Sequence, residues 1–216
     1  MANEEMVRIV RGGKLNAYRK EHPDAEIDLS GADLCRADLR EADFRGVNFR
    51  EADLCVANLR ESDFTGADIR AARLYKANLR GANLRKAELS HANFCMADLS
   101  KADLCDANLS FANFRGAILY KADLRNAILR LTNLRGANLR GADLSEAILY
   151  AAILYKADLC KADLRGAVLQ RTNLRGTNLG EANLRGAYIS QVKITRSQQE
   201  VVCKALEFRV INDPQE

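Results

Sequence analysis

The sequence predicts an all-β solenoid, a four-sided coil wound from five-residue steps. Three observations predict it. From Leu29 to Ile194 every fifth residue is Leu, Phe or Ile, 34 positions without a break. The residue two places before each of these is small or β-branched, and it is Ala in 27 of the 34 cases. Like residues also recur twenty apart: Phe44 with Phe64, Phe94 with Phe114, Cys35 with Cys55, and Ile128 with Ile148 and Val168.

An amphipathic helix cannot carry the five-residue period. At about 100° per residue, successive leucines would drift roughly 140° around the axis and soon cover every face. An extended chain can carry it. Positions two apart share a face, so Ala and Leu both point inward while the residue between them points out. The two remaining residues must turn the chain, and Gly occupies the second of them ten times, as suits a corner. Each step is therefore a short side plus a corner. Four sides close one coil of twenty residues, and the repeats at that interval favour it over a fifteen-residue triangle, which aligns only pairs such as Phe49 with Phe64. Coils of this kind stack about 4.8 Å apart through ladder hydrogen bonds, so about 8.5 coils make a rod roughly 40 Å long. Both prolines, Pro23 and Pro214, lie outside the repeats, where they remove no ladder donor.

The steps Ala32-Asp33-Leu34-Cys35-Arg36, Ala77-Asn78-Leu79-Arg80-Gly81 and Ala137-Asn138-Leu139-Arg140-Gly141 resemble the A(D/N)LXX repeat of the pentapeptide-repeat proteins. The resemblance covers residues 27–196 and implies a right-handed quadrilateral β-helix. It implies no single function, because the family hosts several.

A solenoid exposes an apolar cross-section and unpaired edges at both ends, so caps are expected. Residues 1–26 break the five-residue frame and are read as an N-terminal helical cap, with short helices at Glu4–Arg11 and Leu15–Glu21 around Gly12-Gly13. Residues 197–216 are read as a C-terminal helical cap. There Ser197-Gln198-Gln199-Glu200 matches a capping box, and Val201, Val202, Ala205, Leu206 and Phe208 offer apolar surface. That helix is also a candidate dimerisation element.

The residues do not spell out a catalytic site. Fourteen of the 34 residues before the inward Leu are Asp or Glu, but they repeat an outward position and face 15 Arg placed just after the Leu. Opposite charges on a solvated wall account for them, whereas catalysis needs unlike residues converging in a cleft. His22 and His91 stand outside any metal-ligand motif, with His91 at a solvated corner. The cysteines lack metal-type spacing: Cys35, Cys55, Cys95, Cys105 and Cys160 take the outward position after the Leu, and Cys203 falls in the C-terminal helix. No Gly-rich phosphate loop stands in a βαβ setting. The expectation is a non-enzymatic protein with no cofactor and no metal. The N-terminus lacks an apolar leader, and the longest apolar run, Ala147 to Tyr155, is nine residues against about 20 for a membrane span. A cytoplasmic protein without membrane contact is expected.

The outward positions break their polar rule in one region. Ile118, Ile128, Ile148, Ile153 and Val168 occupy the site just before the inward Leu. Under the twenty-residue coil, Ile128, Ile148 and Val168 form one column continued by Tyr188, beside Tyr150, Ala151 and the corner residues Phe111 and Leu131. Phe111, Ile128, Leu131, Ile148, Tyr150 and Val168 are therefore the candidate interaction surface. Charge is uneven too: residues 28–110 hold 12 Lys or Arg against 14 Asp or Glu, and residues 111–196 hold 14 against 6. The favoured reading is a protein-binding scaffold or regulator, with a homodimer through the strip or the C-terminal helix as one form of partner. The family resemblance supplies an alternative, a DNA-mimicking, gyrase-binding protein of the quinolone-resistance type, which the net charge of +4 argues against. A nucleic-acid binder using the basic C-terminal half is the third reading, without a recognised binding motif.

Overall fold

In the computed structural model, residues 4–205 of the chain are described. Parallel bridges join each step to the one twenty residues later, from Asp28↔Asn48 to Asn173↔Lys193 with no shift in register. The coil is therefore four-sided. We name its walls by their inward residues: wall A holds Leu29, Phe49 and onward to Ile189, wall B Leu34 to Ile194, wall C Leu39 to Leu179, and wall D Phe44 to Leu184, each at twenty-residue intervals. Each corner is assigned to the wall it follows.

The inward positions fill the rod. Nearly all the inward Leu, Phe, Ile and Ala side chains are buried in one continuous core. Burying each large side chain contributes about 1.5–3 kcal/mol before chain entropy opposes it. Phe44 lies over Phe64 with ring centroids 5.0 Å apart, and Phe94 over Phe114 at 4.6 Å, both stacked and both inside, as a twenty-residue coil requires. Where an inward Ala is replaced by a hydroxyl residue, the hydroxyl finds a carbonyl. Thr132, Thr172 and Thr177 donate to the carbonyls of Leu109, Leu149 and Leu154, and Ser62 donates to that of Leu59.

One step shows how the backbone is satisfied. The N–H of Asn138 donates to the Ala117 carbonyl of the preceding coil at 2.9 Å, and those of Leu139 and Gly141 donate to Asp158 and Cys160 of the following coil at 2.7 and 3.0 Å. The N–H of Ala142 closes the corner onto the Leu139 carbonyl at 3.0 Å. The remaining N–H, that of Arg140, donates to the Asn138 side-chain Oδ1 at 3.1 Å. All five donors are thus paired. The corner is a type II turn, with Gly141 at φ 64°. The outward Asp or Asn is therefore more than a surface charge. Its side chain replaces a ladder partner at the corner, and Asp and Asn serve equally because both offer Oδ1.

The left-handed corner does not demand Gly. Gly occupies it in ten steps, at φ 64–71°, but Arg, Glu, Lys, Phe, Leu and others adopt φ between 51° and 62° at the same position. Val56, at φ 60°, is the β-branched member of that set.

Helices close both ends. Among the described residues, α1 (Glu4–Arg11) and α2 (Leu15–Glu21) bury Met6, Val10 and Leu15 against the first coil. Their polar side chains substitute for the coil that is missing beneath. Arg11 donates to the Asp33 carbonyl at 2.8 Å, and Arg19 to those of Asp43 and Arg45 at 2.8 and 2.6 Å. Asn16 Oδ1 accepts the Asp43 N–H at 2.8 Å. At the other end stands α3 (Arg196–Ala205). Its capping box is Thr195 with Gln198, two residues before the Ser197 expected from sequence. The Gln198 Oε1 accepts from the Thr195 N–H and hydroxyl at 2.8 and 2.9 Å. The same amide reaches down to the last coil, donating to the Leu174 and Thr177 carbonyls at 2.6 and 2.8 Å. Docking onto the coil thus selects the box. Val202 is buried, while Leu206 and Phe208 lie outside the described residues.

Candidate interaction surface on two adjoining walls

The register gathers the six strip residues on wall A and its corner with wall B. Ile128, Ile148, Val168 and Tyr188 are bridged in sequence, one coil above another. The first three are half-buried by their own stacking, and Tyr188 is 55% exposed. Phe111 and Leu131 stand at the corner, 52% and 46% exposed. His91, expected to be merely solvated, stacks on the Phe111 ring at 4.9 Å with the planes parallel. Tyr150 is half-buried and held: Arg171 donates to its hydroxyl at 2.9 Å, and the guanidinium lies 5.8 Å over the ring.

Ile153, which sequence reasoning left out of the strip, lies on the neighbouring wall B, 40% exposed. That reasoning did not single out the trough beside it. There Gly136 leaves its corner open while Met96 lies over Gly116, and an open cleft of about 480 Å³ is lined by Arg115, Arg135 and Lys156 with Tyr75 and Met96 at one end. The guanidinium of Arg135 lies 5.0 Å over the Tyr155 ring.

On wall D several of the arginines after the Leu are neutralised within their own step, whereas on walls C and D Arg80, Arg85 and Arg140 reach acids of the next coil. Arg45, Arg125 and Arg165 meet Asp43, Asp123 and Asp163 at 2.6 Å. The hydrogen bond from Arg45 holds the Asp43 carboxyl below the usual carboxylate range, and Arg165 does the same to Asp163. Two cysteines expected to stand on the solvated outer wall are buried, Cys55 at 9% exposure and Cys105 at 5%. Burial pushes both thiols up, away from the reactive thiolate. The thiols of Cys35, Cys55, Cys95, Cys105 and Cys160 are free. Among the described residues no cluster of His, Cys, Asp or Glu could hold a metal, and no helix is long and apolar enough to cross a membrane.

Comparison with known proteins places this rod. The family model for pentapeptide repeats matches in eight copies, over residues 25–60, 62–100, 96–130, 127–166 and 162–197. Among solved structures, HetL, a pentapeptide repeat protein involved in heterocyst differentiation regulation from the cyanobacterium Nostoc sp. strain PCC 7120, is 31% identical; the match covers 89% of this chain and 96% of HetL, with a TM-score of 0.39. A pentapeptide repeat protein from the Arabidopsis thaliana thylakoid lumen is 31% identical over 56% of this chain and 78% of its own, with a TM-score of 0.39. QnrB1, a plasmid-mediated fluoroquinolone resistance protein, is 24% identical over 85% of this chain and 86% of its own, with a TM-score of 0.36. No curated protein matches. The chain belongs to the pentapeptide-repeat family, and its fold is that family's right-handed quadrilateral β-helix with short helical caps.

Proposed function

We propose that the chain is a non-enzymatic protein-binding rod whose contact surface is the apolar strip on wall A. The observation that carries this reading is the column Ile128, Ile148, Val168 and Tyr188. These four stack directly at the outward position where the same wall holds Asp28, Asn48, Asp68, Glu88 and Asn108 in earlier coils. The core does not require them to be apolar, because their neighbours Leu129, Leu149 and Leu169 already fill it. An apolar column displayed on a solvated wall is stabilised when another surface covers it. Duplex mimicry, the alternative drawn from the family, calls for an acidic rod, and this strip lies in the basic half. The resistance role named for QnrB1 is therefore not carried to this chain.

The test is the double substitution Ile148→Asp with Val168→Asp. Circular dichroism should show an intact fold, since both side chains point outward. Light scattering and capture from an extract of the source organism should show a loss of self-association, or of a partner held by the unmodified protein, because covering unpaired carboxylates is unfavourable. A folded double variant with the same assembly and the same partners would sink the reading.

A further inference from the structure

The twenty-residue register turns the uneven charge of the C-terminal half into a surface. Between residues 111 and 196, walls A and B with their corners carry eight Lys or Arg and no Asp or Glu, while walls C and D carry six of each. The whole positive excess of that half therefore lies on two adjoining walls. Acids border this surface on both flanks: Glu146 stands at the corner where wall D meets wall A, and Asp158 follows Lys156 on wall C.

The choice of corner residue sharpens this. On wall D, two of the steps use an Asp that both accepts the corner N–H and neutralises its Arg. Asp123 accepts from the Arg125 N–H at 3.1 Å and pairs with its guanidinium at 2.6 Å, and Asp163 does the same for Arg165, while the last step there has Asn183 with Arg185. On wall B the equivalent residues are Asn113, Asn133 and Asn173. Each accepts the same corner N–H, from Arg115, Arg135 and Arg175 at 3.1, 3.1 and 3.2 Å. The structural task is kept and the counter-charge is left out. Arg115, Arg135 and Arg175 are exposed, and none takes part in an ion pair among the described residues, unlike Arg125, Arg140 and Arg165. Arg115 and Arg135 flank the open trough, where the Gly136 corner gives an incoming carboxylate room and the Met96 thioether lies over the Gly116 corner.

We propose that walls A and B of the C-terminal half form one docking surface for an acidic protein segment that also carries apolar side chains. The proposal rests on the strip being a protein contact, and it adds the chemistry of the partner. Acidic side chains meet Arg115, Arg135 and Lys156 in the trough, and apolar ones cover Leu131, Ile148 and Val168 across the shared corner. A nucleic acid would satisfy the arginines but leave the apolar column facing water or phosphate. A polypeptide bearing both kinds of side chain satisfies both walls.

Fluorescence anisotropy with three labelled probes tests this: a random copolymer of glutamate and tyrosine, polyglutamate, and a duplex DNA. The expected result is that the copolymer binds about tenfold tighter than either other probe, and that its binding weakens with salt. Arg115→Glu with Arg135→Glu should weaken copolymer binding tenfold or more, and Arg115→Gln with Arg135→Gln should weaken it less. Circular dichroism serves as the folding control, and the Gln pair reports if the Glu pair does not fold. Tighter binding of the duplex overturns the proposal, as does copolymer binding that both arginine pairs leave unchanged. Absence of copolymer binding at concentrations on the order of 0.1 mM also overturns it. If Ile148→Asp with Val168→Asp weakens copolymer binding while the arginine variants do not, the apolar contact stands and the acidic partner falls. If only the arginine variants matter, the single two-wall surface falls.

Discussion

A single side chain at each corner of the coil decides how easily the chain turns there. Left-handed φ costs an L-residue roughly 1 kcal/mol, and it is an outlier for a β-branched one, whose two γ substituents crowd the backbone. Val56 sits there at φ 60° with its side chain 47% exposed, so it returns little burial for the strain. Val56→Gly should therefore stabilise the protein by about 0.5–1 kcal/mol, the relief of strain outweighing the added freedom of the unfolded chain. Thermal denaturation of the two proteins checks this; an unchanged or lower midpoint would show that the corner is unstrained. The same scale explains why part of the outward wall was misread from sequence. Fourteen acidic residues suggest surface charge, and only the near-equal use of Asn, as at Asn78, Asn138 and Asn183, points to the acceptor role. The hydrogen bonds from the Arg80, Arg140 and Arg185 N–H groups to these side chains make that role explicit.

Among the elements, the caps show what a local pattern can and cannot reveal. The five-residue frame stops at both ends, so the need for covering is visible in the sequence. Which side chains satisfy the exposed edge is not, because that depends on how each helix docks. Gln198 looks like an ordinary helix-start residue, yet its buried amide joins Thr195, Leu174 and Thr177, at three separate points of the last coil and the turn into α3. Gln198→Ala removes a partner from two carbonyls and an N–H in a buried setting, each worth about 1 kcal/mol or more when left unmet. The expected outcome is a loss of about 2 kcal/mol and faster hydrogen exchange, confined to the last coil near residues 174–195. Uniform acceleration along the rod, or none, would contradict this local role.

For the molecule as a whole, stability is repeated coil by coil, and so is its response to acid. Asp43, Asp68 and Asp163 have native pKa values lowered first by side-chain hydrogen bonds from Arg45, Arg70 and Arg165. A lowered native value means that each contributes stability above the unfolded carboxylate pKa near 4, and that this contribution is lost as pH falls through the lower native value. The melting temperature should therefore hold from pH 7 to about pH 5 and drop below about pH 4. Asp68→Asn keeps the corner acceptor and removes the titration, so its drop should be shallower; an identical acid profile would show that these pairs do not set the response. The fold at this scale was legible from the period alone, because the inward Ala and Leu positions admit one alternation. The two-faced charge distribution was not, since adjacent residues on a wall are twenty apart in the chain and the excess emerges only when steps are sorted by wall.

That sorting also limits how such a chain can change in length. An insertion or deletion of five residues preserves every inward and outward position, so the core and the ladder tolerate it. It nevertheless turns everything downstream by a quarter of a revolution. Five residues added between Leu131 and Arg135 would move Ile148 and Val168 from wall A to wall B, away from Ile128, and would carry Arg135 away from Arg115. Only duplications or losses of a whole coil keep the columns aligned. Lineages of this rod should therefore tolerate pentads where the walls carry no message, and be held to whole coils across the stretch where surface columns are read together.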